Sequence, residues 1–345
     1  MIKALLLFSD GLDSLLAGLL LKNQGIKVFP VRFITPFFGW KYKENPEMFY
    51  QKSLDVGFEK GLVVDITEEY LEVLKKPKYG YGDFANPCLD CKILMIKLAK
   101  NLLGELGCDF IATGEVVGQR PMSQNKQALG LIEKVAGVEG FLLRPLSAKL
   151  LAPTIPEAKG LIDREKLLDL QGRQRKTQFE LAKKWGLKEI PTPAGGCLLT
   201  DPQIGTRVLR VLKEKRPLNY KTAQILCLGR HFFEENLWVV LGRNQEENQR
   251  IQKIINVDYA LYTLNESAPI ACILEGNPPL EFIKELLLKY SPKAKRKLAA
   301  GGKNAQKSLL PSPASPFCPK RLGRPNLHGP KGHRRRHLHM QRIQS

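Results

Sequence analysis

Two short polar stretches contain the residue types that could do chemistry in this sequence. The first, Ser9-Asp10-Gly11-Leu12-Asp13-Ser14, lies between an apolar run that ends at Phe8 and an apolar stretch of helical length. This order predicts a buried strand, a tight loop and a helix, and the amides and dipole of a helix N-terminus favour phosphate. The serines add hydroxyl donors, and Asp13 is suited to holding a cation. An ordinary turn in which Ser14 or Asp13 caps the helix is the alternative.

The second stretch is Asn86-Pro87-Cys88-Leu89-Asp90-Cys91, which has two cysteines at the predicted start of a helix. A helix N-terminus lowers thiol pKa values and favours thiolates. A third cysteine, Cys197, follows two glycines in a Pro-rich and Gly-rich segment, 191–201, that predicts a rigid loop. The pair alone is compatible with redox chemistry, with zinc or with no function. Three thiolates together hold three corners of a 4Fe–4S cluster and leave one iron open.

The elements that must position these residues alternate between strands and helices. Strands are predicted near 1–8, 26–33, 62–66, 108–114 and 141–146, with helices between them that include 45–57 and 91–106. This alternation predicts an α/β fold with a parallel sheet and helices on both faces. Ligands bind at the carboxyl edge of such sheets, where 9–14, 86–91 and 114–124 should meet. Arg144 is a candidate phosphate contact there, with a surface arginine as the alternative.

The rest of the chain predicts three further segments after a nucleotide-binding domain at 1–150. Residues 151–212 should complete the site with a helical region at 153–188 and the Cys197 loop, and 213–290 predict a small α/β domain. Cys108, Cys227 and Cys272 lie in apolar strand patterns and are expected in the core. The segment 291–345 has 14 basic and no acidic residues, which predicts a disordered basic tail. A frameshifted gene end would explain it, and an intact mass of native protein tests that idea.

Composition narrows the functional classes. The net charge is +20, but without the tail 40 basic residues face 34 acidic ones, a net of +6 that suits a polyanionic partner. His231 is the only histidine outside the tail, which argues against Ser–His–Asp or Cys–His catalysis. Seven cysteines in a long chain favour free thiols, metal ligation or redox catalysis. No apolar run is long enough to span a bilayer, so we expect a cytoplasmic protein without a membrane partner.

The first loop resembles the pyrophosphate loop of ATP pyrophosphatases, Ser-Gly-Gly-x-Asp-Ser, with Asp10 where that loop usually has glycine. The cysteines are similar to those of tRNA thiouridylases, in which one cysteine opens a helix, as Cys91 does, and another lies in a later Gly-x-Cys loop, as Cys197 does. The stretch Thr113-Gly114-Glu115, followed by Gln119, resembles tRNA 4-thiouridine synthetases. The resemblance covers about residues 1–205 and implies the adenine-nucleotide alpha-hydrolase fold.

The resemblance implies ATP-dependent tRNA thiolation, in which a uridine is adenylated and sulfur then replaces AMP. It implies ATP, Mg²⁺ and a 4Fe–4S cluster as cofactors, and tRNA and a sulfur donor (a desulfurase persulfide or sulfide) as partners; a homodimer stays open. The expected ATP contacts are Ser9, Asp10, Gly11, Leu12, Asp13, Ser14, Thr113, Gly114 and Gln119. The expected catalytic residues and metal ligands are Cys88, Cys91 and Cys197. A persulfide relay on Cys91 and Cys197 is the alternative to the cluster.

Two basic regions predict RNA contacts. Gly229-Arg230-His231-Phe232 and the stretch around Arg243 resemble an RNA-binding module of thiolation enzymes and ribosome quality-control proteins, which implies contacts from Arg230, His231 and Arg243. Arg173, Arg175 and Lys176 form a second basic cluster, which is either a tRNA backbone contact or a solvated helix face. The rival functions are an RNA-binding protein with a degenerate nucleotide site and an ATP pyrophosphatase that acts on a non-RNA acceptor.

Overall fold

The computed structural model describes residues 1–187, 190, 196–255, 259–264, 269–293, 295–296 and 309–311. The prolines and first glycine of the predicted rigid loop, Cys318 and most of the predicted tail lie outside these residues, so those predictions are untested. Within the described part of the chain, no helix combines the length and the apolar character needed to cross a bilayer.

The first part of the chain alternates strands and helices as predicted. Its elements are β1 (Lys3–Leu7), α1 (Leu12–Lys22), β2 (Lys27–Ile34), α2 (Lys41–Glu44), α3 (Glu47–Asp55), β3 (Leu62–Asp65), α4 (Thr67–Lys75), α5 (Cys88–Leu106), β4 (Phe110–Thr113), α6 (Lys126–Ala136), β5 (Leu142–Leu143), α7 (Ile155–Ala158) and α8 (Lys176–Lys184). The second part contains α9 (Pro202–Lys213), α10 (Tyr220–Leu226), β6 (Arg230–Glu234), β7 (Leu237–Leu241), α11 (Gln245–Ile255), β8 (Ala260–Leu264), β9 (Ala271–Glu275), α12 (Leu280–Lys289) and β10 (Leu309–Pro311).

The first five strands form one parallel sheet in the order β3-β2-β1-β4-β5. Successive residues of β1 point to opposite faces, so Leu6 packs in the cluster that includes α1, and Leu5 packs in the cluster that includes α5 and α6. The predicted α/β fold with helices on both faces is therefore confirmed. Because the strand order reverses beside β1, the loops after β1 and β4 diverge there and leave a crevice at the carboxyl edge.

One predicted helical region and one predicted strand are shorter in the structure than expected. The region 153–188 contains only α7, a short 3-10 turn at Arg164–Lys166 and α8. Left-handed glycines at 160 and 172 interrupt it, since glycine adopts positive φ without strain. The strand expected at 141–146 has only two residues, β5, and Pro145, which has no amide to donate to a ladder, lies just beyond it.

The second part folds around an antiparallel sheet in the order β10-β8-β9-β7-β6, with α12 packed against it. This confirms a small α/β unit in the second part of the chain, whereas the predicted bounds of 213–290 stay a prediction. β10 lies within the segment expected to be disordered, so three residues of that segment pair with β8 instead. Cys272 is buried in β9 as predicted, but Cys227 terminates α10 and does not lie in a strand.

The two parts share one apolar core. Side chains of the first part, such as Phe37 and Tyr70, pack in the same cluster as Val208 and Trp238 of the second. The Tyr220 hydroxyl also donates to Asp65 at 2.7 Å across the junction. Removing the second part would therefore expose apolar surface of the first, and single substitutions are the better test of its role.

Candidate active site

One cavity of about 220 Å³ lies at the carboxyl edge of the parallel sheet. Its lining combines the loop after β1, the loop after β4, the start of α5 and the Cys197 segment; the polar and thiol groups among them are Ser9, Asp13, Ser14, Arg32, Asn86, Cys88, Cys91, Lys92, Thr113, Glu115, Gln119, Arg120, Gln124, Arg175 and Cys197. The predicted convergence of the three cysteines on the loop at 9–14 is thus present in the described residues.

The loop after β1 is closed by its two serines. The amide of Ser9 donates to the Ser14 hydroxyl oxygen at 3.2 Å, and the Ser14 hydroxyl donates to the Gly11 carbonyl at 2.9 Å. The first amide bonded within α1 is that of Leu15, which donates to Gly11. As at any helix start, the preceding amides have no partner within the helix, which suits the anion site predicted from the sequence; that site stays a prediction.

Gly114 brings the β4 loop directly against this helix start. A Cβ atom on Gly114 would lie 2.4 Å from the Ser14 amide nitrogen and 2.6 Å from the Asp13 carbonyl carbon. Any side chain at 114 would therefore separate the two loops. Thr113, Gly114 and Gln119, which were predicted as ATP contacts, all line the cavity together with Leu12.

Asp13 is the carboxylate that faces this cavity. Its Oδ2 accepts from the Gln119 amide at 3.1 Å and pairs with Arg175 at 3.2 Å. Its Oδ1 is buried and has no hydrogen-bond partner among the described residues. A buried carboxylate oxygen without a partner is costly, and a hard cation would satisfy it. Arg175, predicted as an RNA contact, belongs to this nucleotide-loop network instead.

Asp10 lies outside the cavity lining, although it was predicted as an ATP contact. Its carboxylate accepts from the Tyr42 hydroxyl at 2.5 Å and from Lys52 at 2.9 Å, and Lys41 lies at 3.4 Å. Burial raises the pKa of Asp10, but the hydrogen bonds of Tyr42 and Lys52 and the two lysine charges lower it overall. The residue has φ +63°, a left-handed conformation that glycine adopts freely. The carboxylate therefore holds α2 and α3 against the loop.

Replacing Asp10 by glycine is expected to be tolerated and to raise ATP affinity roughly fivefold, because it removes a negative charge near the phosphate site and frees two lysines. Alanine at this position should be the least stable variant, since left-handed backbone costs a non-glycine residue about 1–2 kcal/mol. Asp10→Asn is the matched control, because it keeps an acceptor for Tyr42. Chemical denaturation and ATP titration measure both effects. A large loss of ATP binding in Asp10→Gly would show that the carboxylate assists the nucleotide.

Cys91 and Cys197 differ from the protonation predicted for them. Burial, followed by the charge of Cys197, raises the pKa of the Cys91 thiol, so the expectation of a lowered value at the helix start was wrong for this residue. Burial likewise raises the pKa of Cys197 to about 11. Both residues are therefore neutral thiols near pH 7, and metal binding or persulfide formation would have to displace their protons. The six described cysteines are all free.

Tyr70 lies next to the three cysteines, behind the residues that line the cavity. It is fully buried, and its hydroxyl has no hydrogen-bond partner within normal distance among the described residues. Burial and then the charges of the three cysteines raise its pKa, which places this hydroxyl beside the thiols. Over the described ranges, no three His, Cys, Asp or Glu side chains are close enough to hold a metal ion as they stand. The thiols and the orphaned hydroxyl suit sulfur chemistry, but they are not a preformed metal centre.

Two backbone anchors hold the cysteines in place, and sequence reasoning missed both. Asp90, between the paired cysteines, accepts from the amides of Lys78 and Tyr79 at 3.0 Å each, which ties the preceding loop to α5. The amide of Leu198 donates to the Phe37 carbonyl at 2.8 Å, which holds the Cys197 segment against the turn after β2. An acidic residue inside a Cys-x-x-Cys stretch was the available signal for the first anchor.

Arg144 is not a phosphate contact, contrary to one of its two predicted roles. Its side chain is buried, pairs with Glu115 at 3.1 Å and also bonds Glu133. Glu115 in turn lies 3.6 Å from Lys92, which follows Cys91 and lines the cavity. Arg32 is a lining residue that the sequence reading passed over, and its Nε is buried with no partner in the described chain. A lone arginine within the apolar strand at 26–33 was the signal for it.

The predicted RNA contacts are dispersed. Arg173 and Lys176 are exposed, Arg230 lies 5.3 Å from the Tyr290 ring, and Arg243 pairs with Glu247. His231 accepts from the Trp238 indole at 3.0 Å, and its other ring nitrogen bonds the Leu228 carbonyl, so its predicted role as an RNA contact was wrong. Arg207 on α9 was missed. Burial and the like charge of Arg243 lower the pKa of Arg207, so the two arginines lie close together.

His231 is expected to make the second part acid-sensitive. Burial, followed by the charge of Arg207, lowers its pKa from 6.5 to about 3. The unfolded chain therefore binds the proton first, so this stabilisation is complete above pH 6.5 and is lost as the pH falls towards 3. The free energy of unfolding should fall by about 1.4 kcal/mol per pH unit in that window from this group. In His231→Gln, which can replace both hydrogen bonds, the free energy of unfolding from urea titrations should depend less on pH between pH 7 and 5. An unchanged dependence would show that another group causes the acid sensitivity.

The fold and the site together define an α/β protein with a parallel sheet, in which the loop after β1 and three thiols share one cavity. Residues 2–150 match the family model described as thiamine biosynthesis protein (ThiI). The match confirms the predicted resemblance for the first domain. The likeness of 213–290 to an RNA-binding module stays a prediction.

Relatives carry related names. The chain is 27% identical over 192 residues to a probable tRNA sulfurtransferase of Thermococcus kodakarensis, which covers 55% of this chain and 42% of that protein. It is 32% identical over 130 residues to the tRNA-specific 2-thiouridylase MnmA of Karelsulcia muelleri, covering 34% and 32%. The chain thus spans less than half the length of these curated relatives.

Among solved structures, a 4-thiouridine synthetase–RNA complex with bound ATP is 20% identical and covers 65% of this chain and 52% of that chain. The TM-score of 0.36 is too low for this likeness to say anything about the site.

Proposed function

We propose that this protein is an ATP-dependent tRNA sulfurtransferase. The observation that carries the proposal is the shared cavity, in which the loop at 9–14 and the three cysteines line the same space. An enzyme that adenylates a base and then delivers sulfur to it needs both groups within reach of one atom. The relatives named as tRNA sulfurtransferases support the same activity and substrate.

The proposed reaction begins with ATP on the helix-start loop. The amides of α1 and the hydroxyls of Ser9 and Ser14 bind phosphate oxygens, and Arg32 and Arg175 add positive charge at the lining. Asp13 would hold Mg²⁺, which neutralises charge on the phosphates when bound. The uracil carbonyl oxygen attacks the α-phosphorus and pyrophosphate leaves. The oxygen then departs as AMP, which is a far better leaving group.

Sulfur replaces that oxygen in the second half of the reaction. Cys88, Cys91 and Cys197 would hold a 4Fe–4S cluster, which supplies an open iron for sulfur when bound. The sulfur originates from sulfide or from a desulfurase persulfide. Lys92, paired with Glu115 at 3.6 Å, puts a cation on the same lining, where it can stabilise developing negative charge. Tyr70 positions an otherwise unpaired hydroxyl beside the thiols.

The test uses the full-length protein, purified anaerobically, with ATP, sulfide and unmodified tRNA. We expect AMP, pyrophosphate and one thiolated uridine in equal amounts, measured by nucleoside mass spectrometry; tRNA from a deletion strain should lack that nucleoside. Pyrophosphate release without sulfur in RNA would point to a pyrophosphatase with a different acceptor. RNA binding without pyrophosphate release would point to a binding protein with a degenerate nucleotide site.

A further inference from the structure

Three exposed apolar side chains lie in the three segments that carry the sulfur side of the cavity. Phe84 is 39% exposed and precedes Cys88 by four residues, Leu198 is 39% exposed and follows Cys197, and Met122 is 41% exposed. Met122 lies between Arg120 and Gln124, which both line the cavity. Single exposed apolar side chains are common, but several of them beside a polar cavity indicate a surface that binds another molecule.

The backbone of Phe84 is in a strained conformation. Its φ of +53° is a left-handed conformation, a genuine outlier for a bulky residue. Such conformations persist only where the surroundings impose them, and they cluster at functional sites. The surroundings here are specific: the Gly82 amide donates to the Asn86 carbonyl at 2.8 Å, which closes the turn under Phe84.

Two glycines bring the three segments together. A Cβ atom on Gly205, in the first turns of α9, would lie 2.5 Å from the Phe84 Cβ and 2.6 Å from the Leu199 carbonyl oxygen. A Cβ atom on Gly82 would lie 2.4 Å from the Met122 sulfur. Phe84 therefore lies between the Cys197 segment and the loop after β4. Phe84 itself lies outside the cavity lining, next to the segments that carry Cys88 and Cys197.

The positive charge near Phe84 indicates which class of molecule would bind there. Arg120 lies close enough to Cys197 to affect its pKa after the effects of burial, the Leu199 amide and Cys88. Phe84 belongs to the loop that packs on Met122, two residues after the cavity-lining Arg120. An exposed aromatic ring near such an arginine matches a nucleotide, since bases stack on aromatic faces and phosphates pair with guanidinium groups.

We propose that Phe84, with Met122 and Leu198 at its sides, is the platform on which the unstacked target base of the RNA substrate lies. This inference rests on the proposed function, because it concerns where that reaction's RNA substrate binds. Chemistry on a base requires that the base leave its stack, and a stacking surface at the rim repays part of that cost. The ring then presents the base edge to the cavity that holds the thiols and the phosphate loop.

The test compares Phe84→Ala and Phe84→Tyr with Phe141→Ala in the full-length protein. Phe141 is the matched control, because it is 41% exposed and precedes β5 at the opposite edge of the sheet. Loss of one base–aromatic stack should lower kcat/KM for unmodified tRNA about 5- to 150-fold in Phe84→Ala. Phe84→Tyr should retain activity near wild type. ATP titration of each variant shows whether the nucleotide site, and hence the fold, is intact.

A direct readout does not depend on thiolation. A uridine-rich single-stranded RNA that contains 5-bromouridine is irradiated on the protein, and the crosslinked peptide is identified by mass spectrometry. We expect the crosslink at 80–88 and its loss in Phe84→Ala. A wild-type protein that thiolates tRNA while Phe84→Ala does so equally well, with no crosslink at this loop, would overturn the inference and leave the proposed function standing.

Two further outcomes separate the proposals. A crosslink at 80–88 in a protein that forms no thiolated uridine would support the base platform and contradict the proposed sulfurtransferase function. A defect of Phe84→Ala that appears with a protein persulfide donor and vanishes with inorganic sulfide would overturn the platform, because the apolar rim would then be a docking site for the donor.

Discussion

Serine at Cys88, Cys91 or Cys197 is expected to abolish thiolation and to remove the iron that anaerobically purified wild type should hold, about four atoms per chain. All three thiols line the same cavity. If they are the three cluster ligands, no other cysteine of the lining can replace one that is lost. Hydroxyl oxygen is a poor ligand for cluster iron, which prefers thiolate. Iron analysis, ultraviolet–visible absorption and nucleoside mass spectrometry of the product RNA measure the losses.

Cys108→Ser is the matched control. Cys108 is partly buried, lies outside the cavity lining and precedes β4, so its variant should keep both iron and activity. An active Cys88→Ser beside inactive Cys91→Ser and Cys197→Ser, with no iron in wild type, would establish the two-cysteine persulfide relay. ATP–pyrophosphate exchange should survive in all the cysteine variants, because the loop at 9–14 does not depend on the thiols.

Asp13→Ala is expected to lower ATP–pyrophosphate exchange by about 10²–10³-fold, the usual effect of losing one electrostatic contact to a transition state. The change removes the buried, unpartnered Oδ1 and the charge that pairs with Arg175. The fold should be retained with a small change in thermal stability, because removing the unsatisfied Oδ1 offsets part of the loss of the Gln119 and Arg175 contacts of Oδ2.

Asp55→Ala serves as its control, because Asp55 is an exposed carboxylate at the end of α3 that bonds only Gln51 among the hydrogen bonds found for its side chain. Asp13→Asn separates charge from shape: it should keep a bond to Gln119 but lose the ion pair and the cation. Full exchange activity in Asp13→Ala would remove this residue from the nucleotide chemistry. Recovery of Asp13→Asn at high Mg²⁺ would identify the carboxylate as a metal ligand.

Local sequence patterns were sufficient to predict most strands and helices of the first part of the chain. The apolar run before Ser9, the helix start at 12 and the alternation up to β4 all follow from short-range periodicity, and the structure has them within a few residues. The pattern failed where tertiary contacts decide the backbone. Between 153 and 188 an amphipathic composition suggested helix, but glycines and the packing of Leu167 and Ala182 against the core leave mostly irregular chain there.

Charged residues show the same limit. Arg144 and Arg175 both looked like surface cations in the sequence, yet Arg144 is buried against two glutamates and Arg175 reaches back to Asp13. Asp10 lies within the loop at 9–14 but faces Tyr42 and Lys52, which come more than 30 positions later. No local pattern encodes a partner at that separation, because the pairing depends on how α2 and α3 pack beside β1.

By itself the sequence determined that a phosphate loop opens the first helix, that a Cys-x-x-Cys pair opens another, and that both belong to a parallel α/β sheet. Those features follow from residue type and periodicity over a few turns. Cys197 was already grouped with the pair by the resemblance. Tertiary structure alone decided that Asp90 and Phe37 anchor the cysteines and that the backbone of Phe84 is strained. It also decided the thiol pKa values, because burial is set by neighbours from distant segments and outweighs the helix dipole that the sequence makes visible.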